Sequence, residues 1–376
     1  MQDKKGQGEY YLLYECDEAK PVCRKCERIG KPCIYDRPGD DEARDAGQGS
    51  SECKEPAETR ERRILELELM HHYITETGPS IAFDKESSSD LFVKAIPRMA
   101  FQSDALLYGI YAITTLHQAK TALPSSSTLD HHQQYLQLAF HYHHKELGSF
   151  SSENADVILL TTHIMRIIAS VMLSERSLVP YTPPSEWLKI ASSNAQIFRA
   201  AWEMVGNDSS TQLAKLMHST PLAWDKNKHQ REGLGQRQRL QHILIAQNNE
   251  ESDADDPDCW DIGVREAYES AAGYIGGLLQ AMQTCEEPSG QIKRRIMVFP
   301  LLVDTRFIDL VTEGRPRALV IMAHYFALVV ALESSWFIGD TGAREVKAIA
   351  SHLPTWWQGF MDLPMRAING DFTYKS

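Results

Sequence analysis

The chain has 376 residues, a formal net charge of −12 at pH 7 and 43% hydrophobic residues. This length and composition allow a large buried core, with or without a small additional domain. The acidic balance excludes a protein that covers nucleic acid with its whole surface, but it is compatible with a small basic module.

Four of the seven cysteines lie close together near the N-terminus, with the spacing C-x6-C-x2-C-x6-C. Thiolates at this spacing can converge on one tetrahedral zinc ion, because the C-x2-C turn supplies two ligands at once. The segment is too short and too polar to fold alone, so bound metal would have to stabilise it. The alternative is four ordinary thiols in a flexible tail. We predict Zn²⁺ as the cofactor, held by Cys16, Cys23, Cys26 and Cys33.

The cysteine segment is slightly basic. Residues 16–37 contain six Lys or Arg against four acidic residues, a local charge of +2. Such a patch can contact DNA phosphates, which position a protein on the duplex without specifying sequence. The cations predicted to make these contacts are Lys20, Arg24, Lys25, Arg28 and Lys31.

This segment resembles the C-terminal two-thirds of the fungal Zn(II)2Cys6 DNA-binding domain. The resemblance rests on Cys16-Asp17-Glu18, Pro21, Cys23-Arg24-Lys25-Cys26, Gly30 and Cys33-Ile34-Tyr35. No cysteine stands in residues 6–15, where the family has its first two cysteines and a basic stretch that reads bases. The resemblance therefore implies one four-thiolate site instead of a two-zinc cluster, and weak or non-specific DNA binding. An incomplete N-terminus and a genuinely degenerate relative both remain open.

The rest of the chain divides into a linker and a helical domain. Residues 38–61 are rich in Gly, Ser, Asp and Glu and have no apolar period, which predicts a disordered linker after a zinc module in residues 1–37. From residue 62 to residue 376 the apolar period is helical almost throughout, which predicts an all-α fold with few or no strands. The expected helices lie around 65–74, 135–142, 157–173, 187–205, 264–283, 300–313, 316–337 and 343–362.

The most apolar run extends from Ala318 to Leu332. Fifteen residues are too few to span a membrane, so we expect a buried core helix and no membrane span. Arg315, Arg317 and Glu333 flank this run and are expected to mark the two surfaces where it ends.

Residues 62–376 resemble the fungal-specific transcription factor domain of the sterol-uptake-regulator type. The resemblance rests on residues 65–73, 96–101, 106–109, 116–117, 144–147 and 316–325, together with Tyr135 and Ala139. It implies an all-helical regulatory domain in a nuclear protein and an apolar small-molecule ligand, whose binding residues are unknown. The run from Ala318 to Leu332 is then expected to wall an apolar cavity. A fully packed core is the alternative.

The histidines do not form a catalytic pattern. We expect those at 131, 132, 141, 143 and 144 to be solvated or half-buried, and His117 and His324 to be hydrogen-bonded core residues. Five of the seven tryptophans, at 187, 202, 336, 356 and 357, could line a cavity but are more typical of a large helical core. No nucleotide-binding or hydrolase motif is present, so we predict that the protein is not an enzyme.

Three functions follow from the sequence. The first is a nuclear transcription regulator of the zinc-cluster type, with a helical domain that senses a ligand or a partner and forms a homodimer or heterodimer. The second is a degenerate relative that binds a ligand or heterodimerises without binding DNA. The third is an all-helical enzyme that acts on an apolar substrate, which no catalytic motif supports.

Overall fold

A computed structural model describes residues 55, 57–83, 90–121, 126–205, 208, 210–212, 239–245, 262–284 and 287–370. Within these ranges all regular secondary structure is helical, which confirms the all-α prediction. The four predicted zinc ligands and the five predicted DNA-contacting cations lie outside the described residues, so both sets stay predictions.

The first helix, α1, comprises Arg60–His72, so it begins five residues before the helix expected at 65–74 and two residues before the expected start of the domain. The reason is an N-cap, since the hydroxyl of Thr59 accepts a hydrogen bond from the backbone N–H of Arg62 at 3.1 Å. The chain continues through a π-helical turn, Tyr73–Thr77, and a short α-helical turn, Gly78–Ile81.

Five helices follow in the N-terminal half. The first of these, α2, is preceded by a π-helical turn at Asp90–Ala95. α3 and α4 pack along each other, and α5 contacts both of them as well as α6. Most of α5 is buried, as its almost uniformly apolar sequence predicts. The bounds are α2, Ile96–Ala100; α3, Asp104–Thr121; α4, Ser126–Leu147; α5, Ala155–Glu175; and α6, Ser185–Val205.

The C-terminal half contains α7, Gln241–Leu244; α8, Ile262–Thr284; α9, Ser289–Leu302; α10, Thr305–Thr312; α11, Pro316–Val329, extended by a 3-10 turn at Val330–Leu332; α12, Thr341–His352; α13, Thr355–Gln358; and α14, Asp362–Ile368.

Two helices predicted as continuous are divided. The predicted helix at 300–313 is wrong, because Asp304 caps a new helix by accepting a hydrogen bond from the backbone N–H of Arg306 at 2.8 Å. The predicted helix at 343–362 is also wrong. Pro354 has no N–H with which to extend α12, and α13 begins directly after it.

The centre of the C-terminal half is α11. Every residue from Arg317 to Val329 is buried, and helices α7 to α10 and α12 to α14 contact it or its 3-10 extension. The run from Ala318 to Leu332 is therefore the buried core helix that its composition predicts.

Arg317 does not mark a surface, so that prediction is wrong. Its side chain is 2% exposed, and its guanidinium donates to the carbonyl oxygens of Ile243 and Leu244 at the end of α7. The guanidinium also lies over the Trp357 ring, 5.1 Å from the ring centroid. Backbone carbonyls and an aromatic face thus stabilise a charge that the sequence suggested would reach solvent.

Among the described residues, α5 is long and apolar enough to cross a membrane, and 78% of its most apolar stretch is buried inside the structure. α10 and α11 meet the same criterion only when they are joined, and the chain bends by 107° between them. The burial of α5 is that of an interior helix.

Candidate functional site

A pocket of about 280 Å³ opens beside the C-terminal end of α11. Three helices supply its apolar walls: α8 through Leu279 and Met282, the end of α11 through Ala327 and Leu328, and α14 through Leu363. Ala327 and Ala331 stand one turn apart and both line the pocket. Small side chains at this spacing leave room that a leucine would fill.

The rim of this pocket is polar. Glu333, Ser334 and Gly370 complete its lining, and all three residues are exposed. The pocket therefore combines apolar walls with a carboxylate and a hydroxyl at its mouth. This arrangement suits a mainly apolar molecule that carries one hydrogen-bond donor at its end.

Glu55 is held against the helical domain by two tyrosines. Its Oε1 accepts hydrogen bonds from the hydroxyls of Tyr142, at 2.7 Å, and Tyr108, at 3.0 Å, and Arg62 donates to the Tyr108 oxygen at 3.1 Å. The hydrogen bonds from Tyr142 and Tyr108 lower the pKa of the Glu55 carboxyl below its ordinary value. We call these four residues the Glu55 clamp. It fixes the chain to α3 and α4 only a few residues before α1 begins.

Two histidines are buried in a neutral form. The Nδ1–H of His324 donates to the carbonyl of Val320 at 2.9 Å, which confirms it as a hydrogen-bonded core residue. His143 was expected to be solvated or half-buried but is 4% exposed and lies 3.1 Å from the hydroxyl of Thr162, so that expectation is wrong. Burial lowers the pKa of each imidazole to about 4.

His117 is also a hydrogen-bonded core residue, as predicted, because its Nδ1 lies 3.0 Å from the hydroxyl of Thr77. His132 is half-buried and donates from Nδ1 to the carbonyl of Ala112 at 2.7 Å. Each of these two rings therefore links two neighbouring helical segments. No group of three or more His, Cys, Asp or Glu within the described ranges could hold a metal ion.

A buried arginine lies between α5 and α9. Arg166 donates to the carbonyl of Met297 at 2.7 Å and lies 3.0 Å from Nδ1 of His163. No carboxylate pairs with it among the described residues, and burial lowers its pKa to about 10. The same burial, with the neighbouring Arg166 charge, lowers the pKa of His163 to about 3, so the imidazole is neutral and can accept the hydrogen bond.

The C-terminal end of α5 is joined to α12 by a bidentate ion pair. Glu345 is 1% exposed and accepts from Nε and Nη2 of Arg176 at 2.6 and 2.7 Å. The guanidinium of Arg344 donates to the carbonyls of Ser174 and Arg176. This polar junction fixes α12 against the N-terminal half.

Four of the five tryptophans considered above, at 187, 202, 336 and 357, are half-buried and pack against the core, and none of the five lines the 280 Å³ pocket. Trp187 stacks on Tyr325, with 6.2 Å between the ring centroids, and Trp357 contacts Phe360 at 5.4 Å. The core interpretation agrees with the structure for these four residues, whereas Trp356 is 36% exposed.

The sequence predicted a cavity wall along the run from Ala318 to Leu332, and the end of that run does line the pocket, but the lining residues on α8 and α14 and the Glu55 clamp were missed. A signal for the pocket existed in the alanines at 327 and 331, which interrupt an otherwise bulky apolar helix. The clamp had no such signal, since Glu55 meets Tyr108 and Tyr142 only through the tertiary fold.

Residues 68–216 match the family described as the fungal specific transcription factor domain. A Zn(2)-C6 fungal-type transcription factor of Aspergillus fumigatus, afumD, is 30% identical over 318 residues, which cover 83% of this chain and 81% of the relative.

Two further relatives share less sequence identity with this chain. A Zn(2)-C6 fungal-type transcription factor of Gibberella zeae is 23% identical over 81% of this chain, which spans 62% of that protein. Sterol uptake control protein 2 of Saccharomyces cerevisiae is 21% identical over 71% of this chain, which spans 27% of that protein. The helical architecture, the matched domain and the extent of the first alignment agree. The chain belongs to the fungal transcription regulators that carry the fungal-specific transcription factor domain.

Proposed function

We propose that the protein is a nuclear regulator that binds DNA through a zinc-ordered cysteine module and receives a signal through its helical domain. The observation that carries the DNA-binding half is the C-x6-C-x2-C-x6-C spacing in a chain whose relatives are named Zn(2)-C6 transcription factors. Four thiolates satisfy one tetrahedral zinc ion, so Cys16, Cys23, Cys26 and Cys33 would hold it. The ion would order the segment and supply no reaction chemistry.

Metal analysis tests the zinc site. The full chain should contain close to one zinc ion, and Cys26→Ser should lose it, since three thiolates bind zinc less tightly. Cys285→Ser is the matched control, because that cysteine stands far from the segment in sequence, and it should keep the metal. Two zinc ions per chain, or full retention by Cys26→Ser, would contradict the proposal.

DNA binding should rest on phosphate contacts. Five cations would contact five phosphates. A plot of the logarithm of the binding constant against the logarithm of the salt concentration should then have a slope of about −4 to −5. Replacing Arg24 and Lys25 by Gln should reduce the slope by about 2, in a titration monitored by fluorescence anisotropy. A chain that binds no DNA even at low salt would support the second function, a regulator without DNA binding.

The helical domain would bind an apolar ligand in the pocket beside α11. The 280 Å³ volume is near the lower end of ligand pockets, roughly 300–1,000 Å³, so a small apolar molecule or one end of a sterol fits it better than a whole sterol. The name of the yeast relative, a sterol uptake control protein, supports including sterols among the ligands tested.

A pocket-filling variant tests this site. Ala331→Leu places a larger side chain in the pocket, whereas Ala200→Leu makes the same change on α6 at a half-buried position away from it. A ligand at roughly a hundredfold excess over its Kd should stabilise the native protein by about 2.7 kcal/mol. Ala331→Leu should abolish the thermal shift and Ala200→Leu should keep it. No shift with sterols, fatty acids or small apolar compounds would refute ligand sensing at this pocket.

A further inference from the structure

A nine-residue connection between two long helices lies at the surface of the domain. Residues 176–184 separate α5 from α6, and the structure describes all nine as non-helical. Val179 is 86% exposed, and Thr182 is exposed as well. Surface connections of this kind are where modifying enzymes reach a folded protein, because an extended chain fits their clefts and a helix does not.

This connection carries the sequence motif of a phosphorylation site. Thr182 precedes Pro183 and stands two residues after Pro180, in the order Pro-Tyr-Thr-Pro. Proline-directed protein kinases select a threonine followed by proline, since proline brings no backbone N–H that would lose its hydrogen-bond partner in the kinase cleft. Of the 17 prolines in the chain, only Pro183 and Pro221 follow a serine or threonine. The second of these pairs, Thr220-Pro221, lies outside the described residues and lacks the earlier proline.

Arg176 lies beside the hydroxyl that such a kinase would modify. Its Nη1 donates to the carbonyl oxygen of Thr182 at 2.7 Å and lies 3.4 Å from the Thr182 hydroxyl. The Nε and Nη2 atoms of the same guanidinium donate to Glu345. Because Nη1 carries two hydrogens, it can donate to a phosphate oxygen on Thr182 while the ion pair with Glu345 stays intact.

The surroundings of Arg176 carry more positive than negative charge. Arg344 donates to the carbonyl of Arg176 at 3.0 Å, so a second guanidinium lies in the same junction. The carboxylate that faces these two arginines is Glu345, and the neighbouring carboxylate of Glu175 pairs with Lys120. A phosphate on Thr182, which would carry about −1.5 to −2 charges at pH 7, would therefore be attracted to the junction.

We propose that Thr182 is a phosphorylation site of a proline-directed protein kinase and that Arg176 binds the phosphate. In the reaction, Oγ1 of Thr182 attacks the γ-phosphorus of ATP, and the bond from that phosphorus to the oxygen of ADP breaks. The hydroxyl proton passes to the catalytic carboxylate of the kinase. The products are phosphothreonine and ADP, so the step needs no oxidant or reductant.

Phosphorylation would act on the contact between the two halves of the helical domain. The Arg176–Glu345 pair joins α5 to α12, and α12 packs against α11. A phosphate bound by Arg176 adds the connection before α6 to that junction and holds it more firmly. The proposal concerns neither DNA binding nor a ligand in the pocket beside α11, so its failure is distinguishable from failure of those functions.

Site mapping on the folded chain tests the modification. The full chain is incubated with ATP and a mitogen-activated protein kinase, which is a proline-directed enzyme, and the phosphorylated residues are identified by mass spectrometry. Phosphate should appear at Thr182. Pro183→Ala should slow its incorporation there at least about tenfold, whereas the matched control Pro221→Ala should leave the rate at Thr182 unchanged. Absence of phosphate at Thr182, or an unchanged rate in Pro183→Ala, overturns the proposal.

Phosphorus NMR tests the role of Arg176. The sample is the Pro221→Ala chain phosphorylated at Thr182. A phosphothreonine has a second pKa of about 6, and a neighbouring guanidinium lowers that pKa by favouring the dianion. The native protein should therefore show a lower phosphate pKa than the same sample unfolded in urea. Replacing Arg176 and Glu345 together by Gln removes both charges of the ion pair and should remove most of the difference. Equal pKa values in the native and unfolded states overturn phosphate binding by Arg176.

Discussion

Gly342, near the start of α12, is where the structure leaves least room for a side chain. A Cβ atom at this position would lie 2.6 Å from the carbonyl oxygen of Phe326 and 2.8 Å from the backbone nitrogen of Val330. Both atoms belong to the backbone of α11 and its 3-10 extension, so neither can rotate away. Gly342→Ala must therefore push α12 away from the central helix.

The size of the effect follows from two opposing contributions. Overpacking of a rigid interior costs about 1–3 kcal/mol, and two backbone contacts below 3.0 Å put this site in the upper part of that range. Replacing glycine by alanine in a helix returns at most about 1 kcal/mol of helix propensity. The free energy of unfolding should fall by about 2 kcal/mol, which lowers the melting temperature by about 3 °C in a domain of roughly 300 residues.

Thermal unfolding followed by circular dichroism measures this difference. Gly359→Ala is the matched control, because Gly359 has φ −60° and no atom lies within 4 Å of its added Cβ. That variant should be neutral or up to about 1 kcal/mol more stable. Equal melting temperatures for the two variants would refute the close approach of α12 to α11, and with it the position of Val330 in the pocket wall.

Three further outcomes are expected. Tyr142→Phe removes a hydrogen bond to Glu55, so limited proteolysis should cut more rapidly just before α1 while the unfolding midpoint changes little, and an unchanged cutting rate would argue against the Glu55 clamp. In the folded protein the pKa values of His143 and His324 are about 4, whereas a histidine in the unfolded chain has a pKa of about 6.5. The unfolded state therefore binds more protons, so the free energy of unfolding should fall as the pH drops from 7 towards 4. Urea titrations at several pH values should show a smaller pH dependence for His324→Leu. Trp336→Phe should cost about 1 kcal/mol in the same urea assay at pH 7, since it removes the indole hydrogen bond, 3.0 Å long, to the hydroxyl of Ser80.

The helical class could be predicted from sequence because it depends on local period. The almost uniformly apolar sequences of α5 and α11 identified both as interior helices, and burial along each confirms it. Helix boundaries were less predictable where a capping residue or a proline interrupts the helix although the apolar pattern continues past it. Asp304 and Pro354 end helices inside stretches whose hydrophobic spacing alone predicts continuity.

The polar interior depended on partners that are distant in sequence. Arg317 was assigned to a surface because a charge normally ends a buried run, but the carbonyls of Ile243 and Leu244 lie more than seventy positions away. Glu345 reaches Arg176 across 169 positions. Such pairs have no local sequence signal, and a charge in an apolar context is assigned to solvent by default. Glu55 was assigned to a disordered linker at 38–61 for the same reason, because its tyrosine partners are distant in sequence.

A short chain of contacts leads from the pocket beside α11 to α1. Ser334 lines the pocket, and Trp336, two residues later, lies 4.7 Å from the His117 ring and donates to Ser80. His117 in turn lies 5.6 Å from the ring of His72, the last residue of α1. The chain of contacts crosses the π-helical turn at Tyr73–Thr77, an irregular segment of a kind that often marks functional sites.

Contiguity alone does not make these sites communicate. A ligand shifts α1 only to the extent that it binds two arrangements of the pocket with different affinity. Where it does, and where α1 in turn affects DNA binding, linkage requires the effect to be reciprocal, so that a ligand which strengthens DNA binding tenfold must itself bind the DNA complex tenfold more tightly. The DNA dissociation constant measured with and without ligand, and the ligand dissociation constant measured with and without DNA, must then change by the same factor. A ligand that binds the pocket and leaves the DNA dissociation constant unchanged would show that ligand binding and DNA binding are independent.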